Sequence, residues 1–159
     1  MAHFDSSRRK FMITTAVAGA ALWVPRMAVA ADPIAVVMRH SSRLTSLDAT
    51  ELRRIFLGRG TSCPDGGEFI PLNLDRSSSL RIRFDRAVLG YEPDEVERYW
   101  TDQRIRGKKA PRTIDARMLK TLLEKVSGTI SYTFVSMAGS LKVIAINGKL
   151  PGDSGYVLG

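Results

Sequence analysis

The feature that most restricts the fold of this sequence is an alternation of short apolar runs with amphipathic stretches of helical spacing. The run at 34–38 (IAVVM) is continuous and rich in β-branched residues, as in a buried strand. Similar runs at 69–74, 129–135 and 141–146 predict three more strands. Because strands that alternate with helices pack in layers, the sequence predicts an α/β domain.

Capping signals and apolar spacing predict four helices between these strands. The first begins at Asp48, has Glu51 in its first turn, and ends near Gly58. The second runs from about residue 78 to residue 89 and ends at Gly90. The apolar face of the first helix is predicted to consist of Leu52, Ile55 and Phe56.

The third and fourth helices are predicted in the second half of the chain. Asp94 followed by Glu97 resembles a capping box, and Asp115 provides an N-cap for the fourth helix. Pro71 cannot donate to a β-ladder, which predicts that the strand at 69–74 lies near an edge of the sheet. The apolar face of the fourth helix is predicted to consist of Met118, Leu119, Leu122, Leu123 and Val126.

The N-terminal residues have the order of a twin-arginine signal peptide. Arg8 and Arg9 precede an uncharged run at 12–24, and the small residues at 28–30 (AVA) suit a signal peptidase. The run is shorter than the ~20 apolar residues needed to span a bilayer. We therefore predict a cleaved signal at 1–30 and one exported domain at 31–159. The alternative is an uncleaved signal that tethers the domain to the membrane.

Composition restricts the chemistry of the exported domain. Cleavage after Ala30 removes four of 24 basic and one of 16 acidic residues, which changes the net charge from +8 to about +5. This charge favours anionic ligands, and export argues against nucleic acid as a partner. His40 is then the only histidine and Cys63 the only cysteine, which we expect to be a free surface thiol. The scarcity of both residue types argues against a metal site, a cofactor and a small hydrolase, so we expect no enzymatic activity.

A serine-rich segment joins the predicted strand at 69–74 to the second helix. Ser77, Ser78 and Ser79 provide hydroxyl groups next to the free N–H groups of a helix N-terminus, and Arg81 lies in the first turn. This combination suits phosphate, sulfate or a carboxylate, which the Arg81 guanidinium could bind through two nitrogens. The alternative is that Ser77 or Ser78 is an ordinary N-cap and that the arginines lie on a solvated face.

Several motifs occur in an order that resembles a known family. They are the segments 52–58 (LRRIFLG), 64–66 (PDG), 77–84 with its serines, 99–100 (YW) and 128–132 (GTISY). Together they resemble the substrate-binding proteins of phosphate ABC transporters, in particular short single-domain relatives, over residues 34–156. The resemblance implies a periplasmic binding protein-like (type 2) fold, with a mixed sheet flanked by helices.

The resemblance also implies an anion site. In that family the strand-to-helix turn reads roughly G-S-G-T-R-x-x-F, and Ser78, Arg81 and Phe84 match the serine, the arginine and the phenylalanine. Leu80 stands in place of the threonine, so one hydroxyl ligand is missing. The polar loop after the first strand corresponds to a loop that faces the ligand, which adds Ser41 and Ser42 to the candidate ligand-binding residues.

The resemblance implies an exported, periplasmic solute-binding protein that holds a small oxyanion, with phosphate as the first candidate, for ABC-type uptake or sensing. Its partners would be an ABC permease or an envelope sensor, and it would contact the membrane only through an uncleaved signal. The alternative is an envelope interaction or signalling module that keeps the fold without tight anion binding. Leu80 favours this alternative, as does the absence of the second lobe that full-length receptors close over their ligand.

Overall fold

Six strands form one mixed sheet in the computed structural model, which describes residues 32–159. The spatial order is β2-β6-β1-β5-β3-β4. β1 is antiparallel to β5 and β6, and the remaining three pairs are parallel. This architecture confirms the predicted α/β class with a mixed sheet. The strands are β1 (Ile34–Met38), β2 (Ser46–Leu47), β3 (Ile70–Asn73), β4 (Arg112–Thr113), β5 (Thr129–Phe134) and β6 (Lys142–Ile146).

Four α-helices pack around the sheet. They are α1 (Ala49–Phe56), α2 (Ser79–Phe84), α3 (Pro93–Ile105) and α4 (Ala116–Lys125). A π-helical turn, Asp85–Leu89, continues α2, and Gly90 ends this segment in the left-handed conformation. The combined segment agrees with the helix predicted at 78–89. No helix in this described part of the chain is long and apolar enough to cross a membrane. The predicted signal at 1–30 lies outside the described residues.

The central strand β1 is the most completely buried element. All five of its residues are at most 1% exposed. Neighbouring strands pair with both of its edges, β5 through Ile34 to Val37 and β6 through Val36 to Met38. A continuous apolar run is the sequence pattern that this environment requires, since a polar side chain on either face would lose its contact with water.

Three aromatic side chains connect the helices to the sheet. Phe84 of α2 stacks on Tyr132 of β5 with ring centroids 3.7 Å apart, and Phe56 of α1 meets Phe84 edge-on at 4.7 Å. All three are among the largest fully buried side chains. Such pairs contribute about 0.5–1.5 kcal/mol beyond the burial of their area. This cluster therefore fixes the position of α2 relative to the end of the sheet.

Two predicted helix caps differ from those in the structure. Asp48 is the N-cap residue of α1, but its side chain makes no capping bond. Instead, Oδ1 of Asn147 accepts from the Ala49 N–H at 2.9 Å, across 98 residues of sequence. The capping box predicted at Asp94 and Glu97 is also wrong, because the box lies two residues earlier, with Glu92 as the N-cap and Glu95 as its partner.

β3 lies next to the two-residue edge strand β4, which agrees with the prediction that this strand lies near an edge of the sheet. Pro71 is tolerated there because β4 pairs only from Leu72 onward. The two-residue strands β2 and β4 were not predicted, since two residues are too few to show a periodic pattern. On α4, Leu119 and Leu123 are buried as predicted and Leu122 is half-buried, but Met118 and the C-cap residue Val126 are exposed.

Gly128 offers a test of the junction between β3 and β5. It has φ +79°, and a Cβ atom there would lie 2.9 Å from the carbonyl oxygen of Glu68. Gly139 has φ +55° with nothing within 4 Å of the corresponding position. We expect Gly128→Ala to lower the free energy of unfolding by at least about 2 kcal/mol and Gly139→Ala by about 1 kcal/mol, because only the first adds a clash to the left-handed strain. Equal losses in urea unfolding would contradict this reading.

Candidate anion-binding site

The serine-rich turn begins directly after β3 and is held in place by Asp75. Its Oδ1 accepts from the backbone N–H of Ser77 at 2.8 Å and from the Ser77 hydroxyl at 2.5 Å. The Ser78 N–H donates to the carbonyl oxygen of Asp75 at 3.1 Å. The bonds from Ser77 lower the pKa of the Asp75 carboxyl, which is therefore ionised at neutral pH. The Ser77 hydroxyl is thus already committed to Asp75.

Ser78 and Ser79 have different roles in the turn. Ser78 is the N-cap of α2, and its Oγ accepts from the Arg81 N–H at 3.2 Å, so the ordinary capping alternative holds for this residue. Ser79 is the first helical residue and is exposed. Among residues 32–159, the Ser79 hydroxyl and the N–H groups of Ser79 and Leu80 have no hydrogen-bond partner. These first-turn donors remain available to a ligand.

Arg81 points into the protein and is only 7% exposed. Its Nε donates to Oδ2 of Asp85 at 2.6 Å, and its Nη1 donates to the carbonyl oxygen of Leu74 at 3.2 Å. Two of the guanidinium nitrogens are therefore already used, so this arrangement does not offer the two-nitrogen contact expected for an anion at the turn. Arg81 instead ties α2 to the end of β3.

A buried polar network surrounds this ion pair. Burial raises the pKa of the Asp85 carboxyl, although Arg81 acts in the opposite direction. Within the described residues, Oδ1 of Asp85 has no hydrogen-bond partner. The Tyr132 hydroxyl donates to Oδ1 of Asn73 at 3.3 Å and accepts from the Leu74 N–H at 3.4 Å. The chain before the turn is thus held at Leu74 by two buried side chains, Arg81 of α2 and Tyr132 of β5.

A cavity of about 640 Å³ opens beside the turn. It brings Ser78 and Ser79 together with residues at the N-terminus of α4. There, Asp115 accepts from the backbone and side chain of Arg117, which lowers the pKa of its carboxyl to about 2. The lining residues are Leu74, Asp75, Ser78, Ser79, Leu80, Thr113, Ile114, Asp115, Ala116, Leu119, Lys120, Thr133, Phe134, Met137 and Leu141.

Ser41 and Ser42 lie at the opposite end of the strands from the serine-rich turn. β1 runs antiparallel to β5 and β3 runs parallel to it, so the loop after β1 and the turn after β3 leave the sheet at opposite ends. Ser41 is exposed, whereas Ser42 is buried and its Oγ accepts from the Leu44 N–H at 3.2 Å. The structure therefore brings Ser77, Ser78 and Ser79 together and places Ser41 and Ser42 elsewhere.

The cysteine and the basic stretch lie outside this cavity. Cys63 is 5% exposed and burial raises the pKa of its thiol, so the expected surface thiol is wrong. Residues 104–112 (RIRGKKAPR) contain five cations, all exposed, of which Arg104 and Arg106 pair with acidic residues of α3. Residues 32–159 contain no group of three or more His, Cys, Asp or Glu side chains suited to a metal ion.

Thr133 and Lys120 also line the cavity, although neither was expected there from the sequence. Thr133 is 5% exposed on β5, and Lys120 lies on the exposed side of α4. A signal for Thr133 was present, because Thr129, Ser131 and Thr133 alternate with apolar residues in a strand that is buried almost throughout. A row of hydroxyls in a buried strand requires hydrogen-bond partners or a polar cavity.

The Arg81–Asp85 pair predicts a pH-dependent defect. Arg81→Met leaves Asp85 unpaired and buried, and should lower the free energy of unfolding by about 3–5 kcal/mol, whereas adding Asp85→Leu should restore most of this loss. Burial holds the pKa of Asp85 above its ordinary value, so protonation favours the folded state. The defect of the single variant should therefore shrink as the pH falls from about 7.5 to about 5. Urea unfolding of both variants at both pH values measures this, and equal, pH-independent losses would refute it.

The comparisons with known proteins bear on the fold. No protein-family model and no curated protein matches the chain. Solved structures do match: a Clostridium perfringens protein assigned as a phosphate ABC transporter substrate-binding protein, with bound phosphate (17% identity, TM-score 0.60), and an ABC-type phosphate transport receptor of Vibrio cholerae (17%, 0.59). PstS of Borrelia burgdorferi also matches, at 14% identity and TM-score 0.59.

These matches cover 76% of this chain and 47%, 48% and 49% of the three solved chains, respectively. The chain therefore spans about half the length of each of them. The described residues thus have the fold of about half of a phosphate ABC transporter substrate-binding protein.

Proposed function

We propose that the chain is an exported solute-binding domain that holds a small oxyanion, with phosphate as the first candidate, for ABC-type uptake or sensing. The observation that carries this proposal is the set of unpartnered donors at the start of α2. The Ser79 hydroxyl and the N–H groups of Ser79 and Leu80 lie at a cavity next to the carboxyl end of β3. First-turn N–H groups of a helix are favourable donors to oxyanions.

The fold likeness supports the proposal, since the Clostridium perfringens protein was solved with bound phosphate. The likeness to solute-binding proteins also favours a non-catalytic role. We further propose that residues 1–30 direct the domain to the periplasm by the twin-arginine route. An ABC permease or an envelope sensor would then be the partner.

The charges around the cavity restrict which anions can bind tightly. Asp75 and Asp115 both line it, and hydrogen bonds from Ser77 and Arg117 keep their carboxylates ionised at neutral pH. These carboxylates repel an anion at close range, although the positive net charge of the chain attracts it from a distance. Binding must therefore come from the directed donors at Ser79 and Leu80, together with Lys120, the one basic side chain that lines the cavity in the described part of the chain.

The second candidate function is an envelope interaction module without tight anion binding. The internal pairing of Arg81 favours it, because the strongest donor near the turn is occupied. The exposed cations Lys108, Lys109 and Arg112 form a surface that suits an acidic partner.

Calorimetric titration with phosphate, sulfate and acetate tests the first proposal. The decisive variant is Ser79→Pro, which removes the amide donor and the hydroxyl together. Proline is tolerated at the first helical position, and Ser78 already has the extended conformation that a following proline requires. We expect Ser79→Pro to weaken binding at least about tenfold, because each bond to a charged group contributes about 1.5–3 kcal/mol. Ser79→Ala keeps the amide and should cause a smaller loss.

The controls separate binding from folding. Ser79→Pro and Ser79→Ala should unfold at the same urea concentration as the wild type, since neither residue change affects a buried group. Arg81→Ala is a poor control because it leaves the buried Asp85 carboxylate without its ion-pair partner. If no anion binds the wild type at millimolar concentration, the transport proposal is rejected and the interaction module becomes the preferred function.

A further inference from the structure

The cavity beside the serine turn is much larger than an inorganic oxyanion. Its volume of about 640 Å³ lies in the range of roughly 300–1,000 Å³ that is usual for sites that bind small organic molecules. A single phosphorus atom with its oxygens fills only a small part of such a space. A phosphate bound at Ser79 would leave the rest of the cavity to water.

The wall of the cavity away from the turn is apolar. Leu80, Ile114, Leu119 and Leu141 line it and are buried, and Met137 lines it with 64% of its surface exposed. Leu80 lies in α2 and Leu119 in α4, while the others are Ile114 after β4, Met137 in the turn after β5 and Leu141 before β6. Water gains nothing from contact with such a wall, whereas an apolar group placed on it would be stabilised.

The polar lining consists of two carboxylates, one lysine and the hydroxyls of two serines and two threonines. Thr133 is 5% exposed and lines the cavity, and its hydroxyl makes no hydrogen bond within residues 32–159. The hydroxyl oxygen of Thr133 keeps contact with the cavity, where water or a ligand atom can bond to it. The hydroxyls of Ser79 and Thr113 also line the cavity without a hydrogen-bond partner within residues 32–159, and Lys120 is the only basic residue among the lining residues. Opposite charges come from Asp75 and Asp115, which disfavours a multiply charged anion.

On the basis of the proposed function, we infer that the solute is an organic monocarboxylate with an apolar body. Its carboxylate accepts from Ser79 and is attracted by Lys120, and its apolar body lies on the wall that contains Leu119 and Met137. One negative charge fits the local balance of one lysine against two ionised carboxylates better than the two charges of hydrogen phosphate. The size and the apolar wall of the cavity then determine which carboxylate binds.

A chain-length series tests this inference. Acetate, butyrate, hexanoate and octanoate are titrated into the purified protein by calorimetry, with phosphate as the reference anion. Each buried methylene should tighten binding about fourfold, so affinity should rise about fifteenfold from butyrate to hexanoate and again to octanoate. Phosphate should bind more weakly than octanoate.

Two exposed methionines provide a matched pair of variants. Met137 lines the cavity, whereas Met118 is 54% exposed on α4 and does not line it. Met137→Gln should weaken octanoate binding several-fold, and Met118→Gln should leave it unchanged. Thr133→Val keeps the shape of the side chain and removes the hydroxyl. It should therefore weaken the binding of every carboxylate in the series that reaches Thr133.

The outcomes separate this inference from the proposed function. If acetate or phosphate binds as tightly as octanoate, the inference is overturned and the oxyanion proposal stands. Equal responses of Met137→Gln and Met118→Gln would also overturn it, because the chain would not lie on the apolar wall. If no anion binds at all, both proposals are rejected.

Discussion

The buried ion pair between Arg81 and Asp85 holds the serine turn against the sheet. Arg81 also bonds the carbonyl oxygen of Leu74, the first residue after β3, so one side chain joins the end of a strand to the helix that follows it. A buried charge of this kind is costly unless it is paired. The pair therefore restricts the turn to one position, and the donors of Ser79 and Leu80 keep a defined relation to the cavity.

The use of Arg81 inside the protein determines the chemistry of the turn. At the turn itself, the groups that remain for a ligand are neutral amides and hydroxyls. Asp75 and Asp115 add negative charge nearby, and Lys120 adds one positive charge to the cavity. Neutral donors bind an oxyanion because their N–H and O–H groups are oriented toward it, and they add no net charge to the site. The site is therefore suited to selecting a solute by shape and by a single anionic group, and the apolar wall of the cavity supplies the surface for such selection.

The relation to larger transport proteins concerns the fold and not the site. The chain matches about half of each solved protein at 17% sequence identity or less. At this level of identity the fold is shared, but the residues at a ligand site can differ. In the part of the chain that the structure describes, the sheet ends in the two-residue strands β2 and β4. The completely buried β1 and the aromatic cluster of Phe56, Phe84 and Tyr132 hold the centre of this sheet together.

The sequence by itself determined the elements whose signals are local. The apolar run of β1, the N-cap of α4 at Asp115 and the capping role of Ser78 were all readable because neighbouring residues supply the pattern and the bonds. Only the tertiary structure decided the cap of α1 by Asn147, the inward direction of Arg81 and the separation of the loop after β1 from the serine turn. These features depend on partners brought close by strand pairing and burial, which no local spacing records.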